Sequence, residues 1–384
     1  MRSLLWFVVL AGGCSKTDPL YCTPEHHLND DPATCGAAGV DAPHAVDAAP
    51  TVDAARQLCL GSGKWAVCAP MPTQPADLPG TLDTGSNPKC QTNLWTASGQ
   101  QPDACFIVGT KITTLSGDVQ VTGTRPLVLI AATTIEISVK LDVASHIGGK
   151  TGPGGRNGSG CTGGAAGNPA ATNYGGGGGG SFQTAGGGGG GGNGVSASAG
   201  LATNLVTPTQ LMNGCAGTQG GGLTGQGIPG AGGGAVYLLA GDSITIDGEI
   251  DASGAGGGAN TDPTAPHFNG GSGGGSGGMI ALVAPMVTGS GSLYANGGGG
   301  GGGADGANMI GGAGMDPAVA TTAAPGGGGT KGGVGSVGTT AGVAGATGGA
   351  GKSGGGGGGG GGYVAYDQAF MGSLTVSPTR TNLP

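Results

Sequence analysis

Asp247, Glu249 and Asp251 occupy every second position of a stretch that also holds Ile246 and Ile250. In an extended strand, residues two apart share a face. These carboxylates, with Thr245, therefore project outward together while the isoleucines turn inward. Clustered carboxylate oxygens are what a hard cation such as Ca2+ requires, so one reading of this face is a metal site. The other reading is a solvated outer face. If the strand containing Lys140 and Asp142 lies in the adjacent layer, Asp142 falls beside Asp251 and Lys140 beside Glu249. That last pair would then be a surface ion pair worth at most about 1 kcal/mol. A cationic partner for catalysis is not evident. Arg125 is the nearest candidate, and it precedes Pro126 where a strand begins.

Other chemistry-bearing patterns carry less. Ala346–Ser353 reads ATGGAGKS, a loose phosphate-binding loop. Such a loop needs a buried strand before it and a helix after it; Gly-Thr-Thr-Ala-Gly precedes this one and polyglycine follows. Gly311–Asp316 matches the start of a calcium-binding nonapeptide, but that site needs tandem copies. GxSxG at 270–274 and 274–278 lacks the strand–elbow–helix setting of a nucleophile. His26 and His27, near Glu25, lie in a polar tether, and His44, His146 and His267 have no partner at ligand spacing. No nucleotide and no cofactor is expected.

The chain opens with Arg2 and then the apolar run Leu4–Leu10, the pattern of a signal peptide. That run is far short of the about 20 residues that span a bilayer. Ala11-Gly12-Gly13-Cys14 follows and resembles the lipobox of bacterial lipoproteins. The resemblance implies cleavage before Cys14 and lipidation of its sulfur. Ser15 after the cysteine implies sorting to the outer membrane. Ala11 stands where the usual box has Leu. Eight further cysteines remain: Cys22, Cys35, Cys59, Cys68, Cys90, Cys105, Cys161 and Cys215. An even number in an exported chain suggests a disulfide framework with roughly a hundred possible pairings. Pairing of sequence neighbours is the simplest of them. None has the CxxC spacing of zinc or thioredoxin-like sites.

Of 384 residues 97 are Gly, only 9% are charged, and the formal net charge is −8. The absence of a basic patch argues against nucleic-acid binding. A conventional compact core is hard to build from this composition.

Residues 1–13 are read as the signal peptide and 14–58 as a lipid-anchored tether, within which Val-Asp-Ala recurs at 40, 46 and 52 with Pro43 and Pro50 between. Residues 59–105, with four cysteines, Trp65 and Trp95, are expected to form a small disulfide-stapled cap. Residues 106–384 carry a repeat. LVLIAATTIEISVKLDVAS (127–145), VYLLAGDSITIDGEIDASG (236–254) and MIALVAPMVTGSGSLYANG (279–297) align without a gap. The expected columns are Leu129, Leu238 and Ala281; Ile135, Ile244 and Val287; Leu141, Ile250 and Leu293; and Val143, Ala252 and Ala295. Alternation predicts strands with one buried face. Equal phase in each copy predicts that the copies stack in register. Half-matches at 112–124 and 363–377 add a first and a last turn. The predicted fold is all-β, a short right-handed parallel β-helix; the alternative is an antiparallel sheet or sandwich.

Glycine-rich inserts at about 146–234, 255–278 and 298–361 leave the repeats at one phase, which places them on one side. They read either as flexible loops or as a packed bundle in the polyglycine-II conformation, three residues per turn, nine residues spanning about 28 Å. In composition they are similar to glycine-rich domains of some phage adhesins, of a receptor ectodomain and of an insect-like antifreeze protein.

Lipobox, tether and repeat-plus-insert layout together resemble the glycine-rich lipoproteins of bacteria with large surface proteomes. The resemblance implies an outer-membrane lipid-anchored protein, displayed at the cell surface or on the periplasmic face. Three functions follow: a non-catalytic structural or adhesive surface protein, whose partner beyond the membrane is polysaccharide or another cell; a calcium-dependent β-helix polysaccharide lyase or hydrolase, since pectate-lyase-like enzymes hold calcium on such an acidic face; or a passive envelope spacer.

Overall fold

The computed structural model describes residues 56–383 except 115–116, 155–159, 169–173, 195–197, 260–268, 307–308 and 367–369. Cys14, Cys22, Cys35, His26, His27, His44 and His267 lie outside the described residues. Strands form where β-branched and aliphatic residues alternate or cluster. β1 (Gln57–Leu60) and β2 (Val67–Pro70) pair antiparallel, joined through a 3-10 turn at Gly63–Trp65. All later strands are parallel. β3 (Ala76–Asp77) and β4 (Thr81–Asp83) open the stack. Five turns of three strands follow. They are β5 (Cys105–Gly109), β6 (Ile112–Thr113) and β7 (Val119–Thr122); then β8 (Leu127–Ala131), β9 (Thr134–Ile137) and β10 (Lys140–Asp142); then β11 (Ala235–Ala240), β12 (Ser243–Ile246) and β13 (Glu249–Asp251); then β14 (Met279–Val283), β15 (Met286–Gly289) and β16 (Ser292–Tyr294); and last β17 (Tyr363–Tyr366), β18 (Phe370–Gly372) and β19 (Thr375–Ser377). They stack into three sheets, ordered β17-β14-β11-β8-β5, β18-β15-β12-β9-β6-β3 and β19-β16-β13-β10-β7-β4. This is the arrangement of a parallel β-helix.

Like residues stack on like. Ile112, Ile135, Ile244 and Val287 form one inward column, and Val119, Leu141, Ile250 and Leu293 another; all eight are at most 2% exposed. One expected column is displaced. Leu238 pairs with Leu129 and with Leu282, while Ala281 pairs with Tyr237. The gapless alignment fails because a corner differs in length. Leu239 pairs with Val283 and Ser243 with Met286, so the corner after β14 is one residue shorter than the corner after β11.

The first sheet departs from the expectation of one buried face. β8 and β11 are buried at every position. Leu129, Leu238 and Leu282 fill the helix interior, and Phe106, Val128, Tyr237 and Ala281 pack outward against Trp65, Val67, Phe182, Leu211 and Met212. Burial on both faces explains why these strands read as continuous apolar runs. Trp65 belongs to this second core and Trp95 packs against it: Trp65 meets Tyr237 edge-on and Trp95 stacks on it, with ring centroids 5.8 and 6.1 Å apart.

Both edges of the first sheet are occupied, which removes templates for strand addition. Gln91 exchanges two backbone hydrogen bonds with Phe106 at one edge, and Thr381 bonds Val364 and Tyr366 at the other. Disulfides join Cys59 to Cys68, Cys90 to Cys105 and Cys161 to Cys215, the neighbour pairing expected for these six.

The inserts run from the third sheet to the first, after β10, β13 and β16. Their glycine segments are buried and bonded to one another. Gly177 and Gly180 donate to Gly271 and Gly274; Gly271, Gly274 and Gly277 donate to Gly354, Gly357 and Gly360; Gly354, Gly357 and Gly360 donate back to Tyr174, Gly177 and Gly180. Three segments from three inserts thus close a cycle in which every third amide donates to the same neighbour. Segment 354–360 also bonds segments 187–190, 298–301, 333–336 and 343–346. Such close approach requires glycine: a Cβ on Gly357 would run into the Gly187 carbonyl.

Candidate functional site

The polar residues that alternate with the inward columns meet where the third sheet gives way to the inserts. One column of that sheet runs Gln120, Asp142, Asp251, Tyr294, Ser377. The register places Asp142 beside Asp251 and Lys140 beside Glu249, as adjacency of the turns requires. The ion pair, however, is diagonal: Lys140 Nζ donates to Asp251 Oδ2 at 2.8 Å. Nor is this face simply solvated, for the Asp251 side chain is 1% exposed. Lys140 and Tyr294, on the adjacent turns, flank it.

Each of the three acids has its own partner. Asp251 also accepts the Ser253 amide at 2.9 Å. Glu249 accepts the Tyr294 hydroxyl at 3.1 Å. Asp247 accepts the amide and hydroxyl of Ser290 at 3.1 and 3.2 Å. Arg125 serves elsewhere, donating to the Thr84 carbonyl at 2.7 Å. Among the described residues no group of three His, Cys, Asp or Glu is placed to hold a metal ion. The loop at 346–353 likewise has neither strand nor helix beside it, and Lys352 pairs with Asp305.

A residue with no visible sequence partner completes the network. His146 Nε2 lies 3.0 Å from Asp142 Oδ2 and Nδ1 lies 3.3 Å from Asp316 Oδ2. Asp316, the last residue of the nonapeptide fragment, also accepts the amides of Ile147 at 3.1 Å and Gly256 at 2.8 Å. One carboxylate therefore ties the third insert to the start of the first and to the second.

The electrostatics follow from burial among opposite charges. Hydrogen bonds to Asp142 and Asp316 raise the His146 pKa from 6.5 to about 10, against the effect of burial. Burial also opposes ionisation of Asp142, but the His146 bond and charge, with Lys140, hold it below the usual carboxylate range. Burial acts against the Lys140 charge; Asp251, then Asp142 and Glu249, overcome it and raise its pKa. Burial pushes Asp251 up, with Lys140 pulling the other way. Burial and the charges of Asp251 and Glu249 push the Tyr294 phenol up, so it stays a donor to Glu249. The network is a clamp: its charges are committed to one another.

The outward surface has a different character. Asp, Glu, Lys and Arg occur in the inserts only as Lys150, Arg156, Asp262, Asp305, Asp316, Lys331 and Lys352. Among the described residues fourteen large aliphatic or Met side chains stand exposed, and eleven of them are on the inserts, among them Leu201, Leu205, Leu223, Ile228, Met309 and Ile310 at 55–65%. The low charge of these segments stands in the sequence, but which of their side chains face outward depends on the backbone lattice.

No protein family, curated protein or solved structure matches the chain.

Proposed function

We propose that this protein is a cell-envelope lipoprotein, anchored through lipid on Cys14 in the outer membrane, that uses its glycine-packed inserts as an adhesive or structural surface and performs no catalysis. The observation that carries this reading is the concentration of exposed aliphatic side chains on nearly uncharged inserts. Exposed apolar patches on an ordered scaffold mark interaction surfaces. We read the inserts as a polyglycine-II bundle, because donation by every third amide follows its three-residue turn. A right-handed β-helix would then be the scaffold, residues 59–105 its stapled cap, and the Pro- and Ala-rich segment 14–58 the spacer from the membrane. The partner would be a polysaccharide or another cell's surface. Engagement of Asp247, Glu249 and Asp251 by separate partners weighs against the calcium-dependent lyase reading.

Protease and antibody accessibility on intact cells tests the proposal, with Cys14→Ala as control. The expected result is that 106–384 is reached from outside and that Cys14→Ala releases the chain. Protection until the outer membrane is broken would defeat the adhesive reading in favour of a spacer. Loss of a polysaccharide-cleaving activity on replacing the three acids by their amides would establish the enzyme instead.

A further inference from the structure

A cavity of about 420 Å3 lies where the three inserts meet, within the roughly 300–1,000 Å3 of small-molecule sites. Ile147, Ile228, Pro229, Ala231, Ala255 and Ala313 supply its apolar wall. Among the described residues two polar side chains reach it, and both are already satisfied. His146 spends one ring nitrogen on Asp142 and the other on Asp316. The Gln226 amide donates to the Gly222 carbonyl at 2.6 Å and accepts from Gln219 at 2.9 Å. The His146 charge is already matched by Asp142 and Asp316, so an anionic ligand entering here would lose water and meet no unpaired counter-charge, a costly exchange. The wall is also preformed. Ala255 donates to the Ala231 carbonyl at 2.9 Å, Gly258 to the Ile228 carbonyl at 2.8 Å, and Gly230 to the Gly273 carbonyl at 2.9 Å, so little ordering is needed on binding.

We infer that this cavity is a binding site for an uncharged, predominantly apolar small molecule, an aliphatic or aromatic compound of on the order of ten to twenty non-hydrogen atoms. The site is independent of the adhesive reading and would persist if the protein proved a spacer. Two dyes of nearly equal shape test it on the full chain: neutral N-phenyl-1-naphthylamine and anionic 1-anilinonaphthalene-8-sulfonate. The neutral dye is expected to bind saturably at one site, to be displaced by 1-octanol, and to bind at least tenfold more tightly than the sulfonate. Ala313 is exposed and Ile228 is 59% exposed, so changes there leave the fold intact. Ala313→Trp, which fills the mouth, and Ile228→Asp, which charges the wall, should each weaken the neutral dye at least tenfold with the melting midpoint unchanged. Leu205→Asp, an equally exposed aliphatic position outside the cavity, should leave the binding of both dyes unchanged. Non-saturating binding, equal affinity for both dyes, insensitivity to the two cavity variants, or an equal loss in Leu205→Asp would each overturn the site.

Discussion

His146 and Asp316, separated by 170 positions, face each other at 3.3 Å and join the beginning of the first insert to the third. Because Asp142 holds the other ring nitrogen, the imidazole is gripped from the β-helix and from an insert at once. Its folded pKa of about 10 stands above the unfolded 6.5. The linked stability is therefore fully present below pH 6.5 and is lost as pH rises through about 10. Melting midpoints of the native chain should fall across that window relative to His146→Gln, which should show no such slope. Parallel curves would show that the clamp does not couple folding to pH there.

Removing Lys140 should cost more than removing its neighbours. Lys140→Met strands Asp251, 1% exposed, without its counter-ion, and breaking such a pair from one side costs about 3–5 kcal/mol. Lys140→Met with Asp251→Leu should recover most of the loss in urea denaturation. If the double variant is as unstable as the single, the penalty lies in packing and not in an uncompensated carboxylate.

Gly357→Ala should destabilise by about 3 kcal/mol, at the upper end of overpacking costs, because the obstacle is the Gly187 carbonyl within the lattice. Gly349→Ala has nothing within 4 Å of the new methyl and should stay within about 0.5 kcal/mol of the native chain. Equal midpoints for both variants would show that the lattice does not govern stability.

The Cys161–Cys215 bridge closes a loop of separation 54 and Cys59–Cys68 one of 9. Chain-entropy reasoning assigns them about 4 and about 2.5 kcal/mol. Paired Cys→Ala variants compared by chemical denaturation should rank in that order, and the larger loss should accompany increased proteolysis of the first insert.

Much of the β-helix was legible because its signal is local. Ile135, Ile244 and Val287 alternate with polar neighbours at one phase, and stacking follows from that. The slip at Ala281 was not legible, because Ala281 and Leu282 are both apolar and the shortened corner leaves no polar marker. Nor was the double burial of β11, since a continuous apolar run becomes informative only once Phe182 and Leu211 are known to cover it. His146 had no visible partner because Asp316 reaches it through the insert lattice. Composition marked the inserts as glycine segments able to pack but held no record of which segment bonds which.

Packing by backbone has a calorimetric consequence. Exposing apolar surface on unfolding raises heat capacity, whereas exposing peptide groups lowers it. A bundle that buries Gly177, Gly274 and Gly357 amides in place of side chains should therefore unfold with a heat-capacity increment well below that of a hydrophobic core of equal size. Its stability curve should be correspondingly flat, with the inserts keeping their order on cooling, where apolar cores weaken.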